Sequence, residues 1–182
     1  MEPGRSADIG AEPDLKKIVR AVLDGYRLQR RGLHGLGHWA RVLENGLRLA
    51  EKTGADARIV RLFAVLHDSR RENDATDDGH GRRGAEFAAS LRPTLLELAD
   101  PDFEILQFAC AHHTDTDFNP DLTIQTCWDA DRLDLGRVGK KVDPDFLGRA
   151  AGGDGTLLRW ADERARRGVV PAFVNKDWIP ER

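Results

Sequence analysis

Residues 57–70 read ARIVRLFAVLHDSR. From Ile59 to Leu66 the stretch is apolar on nearly every side, and Asp56 stands before it as a helix N-cap. The length of the segment favours a helix over a buried strand and predicts one from Ala57 to about Arg70, enclosed on most faces. The apolar run ends on His67-Asp68. A carboxylate delivered to the edge of a core in this way is costly unless something neutralises it, and a bound cation would do so.

Helical periodicity continues on both sides. Leu15, Ile18, Val19, Val22, Leu23 and Tyr26 recur at three- and four-residue steps and predict a first helix, with Pro13 in its first turn and Gly25 and Gly32 loosening its end. A second runs from Leu36 to Lys52 and stops at Gly54. Beyond the polar break at residues 72–79, helices are predicted over Gly81–Leu91, Asp102 to about His113, and Thr123–Leu135. Pro93, Pro101 and the polar loop 114–121 punctuate them. Asp143-Pro144 starts a further helix, the glycines at 152, 153 and 155 form a joint, and Thr156–Arg166 is helical. The last stretch, with Val169, Val170, Phe173, Trp178 and Ile179, is expected to pack back as an irregular tail. No hairpin or βαβ pattern interrupts this, so the fold class is all-α, a bundle of roughly six to eight helices.

The chain has 182 residues, a formal charge of −3, 40% hydrophobic and 32% charged residues. These values fit one soluble globular domain with its own core. Residues 1–12 are expected to form a flexible arm, 13–150 the metal-binding helical domain, and 151–182 a terminal helix and tail on the same domain. Cys110 and Cys127 cannot make a disulfide framework and point to a cytoplasmic protein with reduced thiols. No apolar run approaches the ~18 residues of a membrane span. The near-balanced charge gives no strong signal for duplex nucleic acid.

All six histidines lie between positions 34 and 113, several at the ends of apolar helices. His38 opens the second helix, and Asp131 sits in an apolar helix among Cys127, Ala130 and Leu133, where an ionised carboxylate again needs a partner. Two histidines and two carboxylates converging from three helices suit a divalent transition metal such as Mn, Fe, Co or Zn better than a site built for Mg²⁺ alone.

The order His38, His67-Asp68, Asp131 resembles the H…HD…D signature of the HD-domain superfamily of metal-dependent phosphohydrolases. The local contexts GHWARVLENGLRLA (37–50), FAVLHD (63–68) and WDADRLDL (128–135) resemble it as well. The resemblance covers about residues 33–140. It implies an HD-type helical bundle in which His38, His67, Asp68 and Asp131 hold one metal. Asp129 is the rival for the last position, and Asp131 is preferred for its Ala-Asp-x-Leu context. His80 in HGRRGAEFA, 13 residues after His67, and the His112-His113-Thr114 segment resemble the binuclear branches. There Asp68 would bridge, and His80 with His113 or His112 would complete a second site. The pattern is similar to the branch that symmetrically cleaves diadenosine tetraphosphate, but the doublet is followed here by Ser69-Arg70-Arg71-Glu72 and not by that branch's Gly-Lys type continuation.

What the resemblance implies is hydrolysis of a phosphoester or phosphoanhydride of a small phosphorylated substrate. A nucleotide, a dinucleoside polyphosphate or a short oligonucleotide is expected, with one or two metals per chain. Water on such a metal has its pKa lowered toward neutrality. Asp68 would orient it, with Arg71 beside it in the catalytic set. Arg70, Arg82, Arg83 and Lys140 are candidates for the substrate phosphate, with Arg137 and Lys141 nearby in sequence. Trp39, Phe118 and Trp128 are candidates to stack a base. Two other functions fit the same residues: a di-iron oxygenase of the superfamily, and a metal-stabilised nucleotide-binding module without catalysis.

Overall fold

A computed structural model describes residues 12–179. The expected N-terminal arm lies outside the described residues except for Glu12. Among the described residues there is no strand, and no helix is long and apolar enough to cross a membrane.

The third helix, α3 (Ala57–Leu66), runs through the middle of the bundle, with α1 (Leu15–Asp24), α2 (Leu36–Thr53), α4 (His80–Ser90), α5 (Asp100–His112) and α6 (Leu122–Arg132) around it. Its residues Ile59, Val60 and Leu62 to Leu66 are all buried. Each of its larger side chains contributes roughly 1.5–3 kcal/mol relative to an exposed position. Aspartates start three of these helices by accepting backbone N–H bonds. Asp14 accepts from Lys17, Asp56 from Arg58, and Asp121 from Thr123 and Ile124. α2 ends at Gly54, whose φ of 75° is the left-handed conformation that stops a helix.

The helix through 57–70 is shorter than its periodicity predicts. The backbone N–H and the hydroxyl of Ser69 both donate to the Leu66 carbonyl, at 3.1 and 2.7 Å, and turn the chain out of helical geometry. His67 and Asp68 therefore sit in the turn that follows α3. The sixth helix likewise stops at Arg132, before Leu135, and a 3₁₀ turn (Leu135–Val138) follows. Asp143-Pro144 opens only a 3₁₀ turn (Pro144–Phe146), with the short α7 (Arg149–Gly152) behind it.

A second apolar cluster joins Leu49 of α2 and Leu133 to Val142, Leu147, Ala151 of α7, and Leu157 and Ala161 of α8 (Gly155–Arg166). The tail then returns to the main core. A π-helical turn (Val174–Trp178) buries Val174 and Trp178 in it and packs on α1 and α2.

Candidate metal centre

The ends of α2, α3, α4, α5 and α6 meet at one point. α2 supplies His38 from its first turn, the turn after α3 supplies His67 and Asp68, α4 supplies His80 as its first residue, and α6 supplies Asp131 from its last turn. His113 follows the last residue of α5. Two glycines let α4 approach this closely. A Cβ on Gly84 would stand 2.6 Å from the Leu66 carbonyl oxygen and 2.9 Å from that of His67. One on Gly81 would stand 2.4 Å from the Cys110 carbonyl oxygen. Neither position has room for a side chain, so HGRRGA is a packing signature as much as a ligand-bearing one.

Four histidine rings are held the same way. Nδ1–H of His38 donates to Asp134 Oδ2 at 2.8 Å, and those of His67, His80 and His113 donate to the carbonyls of Phe63, Asp77 and Cys110 at 3.0, 2.6 and 2.8 Å. Every acceptor is an oxygen that can only accept, so each neutral ring keeps its proton on Nδ1 and turns the Nε2 lone pair inward. These lone pairs crowd together: His38 Nε2 lies 3.1 Å from His67 Nε2, and His80 Nε2 lies 2.9 Å from His113 Nε2.

The carboxylates complete two groups that share Asp68. Its Oδ2 stands 3.5 Å from His38 Nε2 and 3.7 Å from His67 Nε2. Its Oδ1 faces His80 Nε2 at 3.3 Å and His113 Nε2 at 3.8 Å. Asp131 Oδ1 closes the first group, 3.4 Å from His38 Nε2 and 3.7 Å from His67 Nε2, and this buried oxygen has no hydrogen-bond donor.

A metal fits this donor set. Nitrogen and oxygen ligands bind transition metals at about 2.0–2.2 Å, which sets neighbouring ligand atoms about 3–3.5 Å apart. The observed separations cluster around that range. Crowded lone pairs and an orphaned carboxylate oxygen are unfavourable without a cation and are resolved by one. Imidazole with carboxylate is the chemistry of Mn, Fe, Co or Zn.

The electrostatics agree. Burial drives the His67 pKa down from 6.5 to about 3, against the attraction of Asp68 and Asp131, so the ring is neutral and ready to ligate. Burial likewise lowers His80. His113 is the exception: burial lowers it, but the adjoining Asp68 carboxylate and the Asp131 charge prevail and its pKa is raised. Burial would raise Asp68 and Asp131. His67 with the other rings around them outweighs it, assisted at Asp131 by Arg137, and both stay ionised well below the usual range.

The structure separates the remaining candidates. His112 points away from the cluster, with a side chain 41% exposed, and pairs with Asp115. Asp129 is held by Gln125 Nε2 and the Gly148 N–H, away from the rings. Arg71 is buried at the centre, its Nη1 donating to His80 Nε2 at 3.2 Å and to Asp68 Oδ1 at 3.4 Å. Arg70 instead lies over the Phe87 ring and donates to the Val22 and Ser69 carbonyls, and Arg83 is engaged by Asp77 and the Arg70 carbonyl. Arg82 and Lys140 are exposed. Neither Trp39 nor Trp128 is free to stack a base, since both are wholly buried, while Phe118 is exposed in its loop.

Two residues, Asp134 and Arg41, escape sequence inspection, whereas Arg137 is among the cations that the sequence places near Asp131. Asp134 is fully buried, accepts from His38 and pairs with buried Arg41 through Nε and Nη2 at 2.6 and 3.0 Å. Arg137 places Nη2 3.9 Å from Asp131 Oδ1, the most accessible ligand, whose side chain is 15% exposed. The available signal for both is spacing: Asp134 follows Asp131 by one helical turn, and Arg41 follows His38 by the same step.

An all-helical bundle that gathers histidines and aspartates from five helix ends around one point has a donor set that could hold a metal ion. Neither a protein-family model nor a curated protein matches this chain. A crystal structure does match, that of a protein described as a predicted HD superfamily hydrolase from an uncultured Thermotogales bacterium. The two chains are 27% identical, with a TM-score of 0.62 over 90% of this chain and 91% of that one. The fold matches that of a predicted HD superfamily hydrolase, His38, His67, Asp68 and Asp131 come together as the H…HD…D resemblance implies, and the likeness supports a hydrolase of the HD kind.

Proposed function

We propose that this chain is a metal-dependent phosphohydrolase that cleaves a phosphoester or phosphoanhydride of a small phosphorylated substrate of the nucleotide class. The observation that carries the reading is the inward crowding of four Nε2 lone pairs around the two oxygens of Asp68. His38, His67, Asp68 and Asp131 would hold one cation, and Asp68, His80 and His113 a second.

Divalent cations held there supply Lewis-acid polarisation of the phosphoryl group and a water of lowered pKa. The chain's own residues do the rest. Asp68, ionised and shared between the two groups, orients the attacking water. Arg71 and Arg137 flank the centre on opposite sides and present guanidinium groups to phosphoryl oxygens, where charge develops during transfer. Burial of the cluster excludes bulk water and strengthens each of these interactions.

The test is phosphate release from 4-nitrophenyl phosphate, bis(4-nitrophenyl) phosphate and a nucleotide panel by Mn²⁺-loaded protein. Turnover that disappears in His67→Ala and Asp68→Asn supports the proposal. Absence of turnover with every ester and every metal, or turnover indifferent to those substitutions, refutes it. Oxygen uptake by the iron-loaded protein without phosphate release would point to the oxygenase.

A further inference from the structure

Beside the centre lies a cavity of about 390 Å³, within the range of small-ligand sites. Its walls come from the segment before α2, the first turns of α2, Arg137, the end of α8 and the tail. His38 and Arg137 belong to both the cavity and the centre.

The lining is of one chemical kind. Four arginines face it (Arg31, Arg41, Arg137 and Arg166) and no carboxylate does. Arg41 and Arg166 pair with Asp134 and Asp162 outside the lining, and Arg137 lies within 3.9 Å of Asp131 and 3.8 Å of Asp134. Arg31 is different. Its side-chain partner is the amide oxygen of Asn175, at 3.1 Å, and no carboxylate lies within ion-pair reach among the described residues. Much of the remaining lining is aliphatic, with Leu33, Leu36, Val170, Val174 and Ile179. No Phe, Tyr or Trp lines it and the His38 ring is buried, so it offers no stacking platform for a base.

Arg137 at the edge of the centre, an aliphatic lining and a second cation, Arg31, with no carboxylate partner among the described residues match a ligand with charge at both ends. We infer that this cavity binds the part of the substrate beyond the scissile bond. It selects compounds in which a second anionic group follows across a short apolar or neutral spacer. Arg31 receives that second anion, and the tail residues Val170, Val174 and Ile179 pack on the spacer. The inference rests on the phosphohydrolase reading and narrows it: substrates with a single anionic group, such as nucleoside monophosphates, fall outside the preferred class.

The test uses two non-hydrolysable probes, propylphosphonate and propane-1,3-bisphosphonate, titrated calorimetrically into the full-length Mn²⁺-loaded protein. A charge-assisted contact to Arg31 predicts that the bisphosphonate binds about tenfold tighter or more. Arg31→Ala, at an exposed position, and Val170→Glu, which adds an opposing charge to the lining, should both bring the two probes close to parity. Arg31→Lys should keep part of the preference. Equal affinity in the unsubstituted protein, or a preference unchanged in Arg31→Ala and Val170→Glu, overturns the inference. Phosphate release from the full panel of esters and nucleotides with each metal, run alongside, separates the two ideas. Turnover without the Arg31-dependent preference sinks the cavity and keeps the phosphohydrolase, and the preference without turnover does the reverse.

Discussion

His38 is held between two demands: its Nδ1–H donates to Asp134 at 2.8 Å, and its Nε2 faces His67 Nε2 at 3.1 Å. The Asp134 carboxylate thus fixes the tautomer, the ring orientation and the basicity of the nitrogen that faces the cluster. Arg41 pins Asp134 in turn, so a buried Arg–Asp–His chain supports one corner of the centre. Burial opposes ionisation of Asp134, but the His38 hydrogen bond and Arg41 win, and its pKa lies below the usual carboxylate value.

Removing that support should cost twice. Asp134→Ala leaves the Arg41 guanidinium buried without its carboxylate, a loss of about 3–5 kcal/mol in stability. It also frees the His38 ring, which should weaken Mn²⁺ binding by about 10–100-fold. Urea unfolding and metal titration of the same variant check both. Unchanged metal affinity would remove Asp134 from the account.

The adjacent histidines should separate cleanly. His113→Ala should lose about one equivalent of metal per chain, while His112→Ala, which breaks only an exposed pair with Asp115, should bind as the unsubstituted protein does and change stability by about 1 kcal/mol or less. Elemental analysis after gel filtration decides the matter.

The approach of α4 should also be sensitive to a single methyl group. Gly84→Ala places a Cβ 2.6 Å from the Leu66 carbonyl oxygen and must push α4, with His80, off the turn that carries His67. Overpacking of this kind costs about 1–3 kcal/mol. The expected signature is weakened binding of the second metal with the first retained, read from a two-phase Mn²⁺ titration. Loss of both together would show that the two groups are not separable.

The metal-free protein should be most stable near pH 6.5. His67 binds a proton near pH 3 when folded and near 6.5 when unfolded, so between those values the unfolded chain holds more protons and stability falls as pH falls. The slope from this one group is at most about 1.4 kcal/mol per pH unit. Asp134, with its depressed pKa, deepens the loss as pH drops below its ordinary 3.8. His113 works in the opposite direction, because its raised pKa contributes stability that is lost as pH climbs above 6.5 through the folded value. Urea melts of EDTA-treated protein at pH 4.5, 6.5 and 8 give the profile, and a curve rising toward acid would contradict it.

Much of the fold was legible because α1, α2 and α3 carry continuous apolar stripes whose period admits one interpretation. The four signature residues were legible through the resemblance of their order and local contexts to the HD superfamily, and the structure brings their side chains together. His112 and His113 were not separable. Adjacent residues point about 100° apart, and α5 is apolar around so much of its surface that its phase cannot be read from the pattern. Arg70 and Arg71 raised the same difficulty in a turn, where no period exists at all. Asp134 was hidden for another reason. It lies beyond the end of α6, and its role depends on Arg41, 93 residues away in sequence. Asp143-Pro144 predicts one helix where the chain makes a 3₁₀ turn before the short α7, because the same dipeptide also starts a 3₁₀ turn.

Metal stoichiometry tests the central claim most directly. Protein loaded with Mn²⁺ and passed through gel filtration should carry about two equivalents per chain, His80→Ala about one, and His67→Ala little or none. Metal content that stays the same in both variants would contradict the account, because the inward-facing nitrogens of His67 and His80 would then hold nothing.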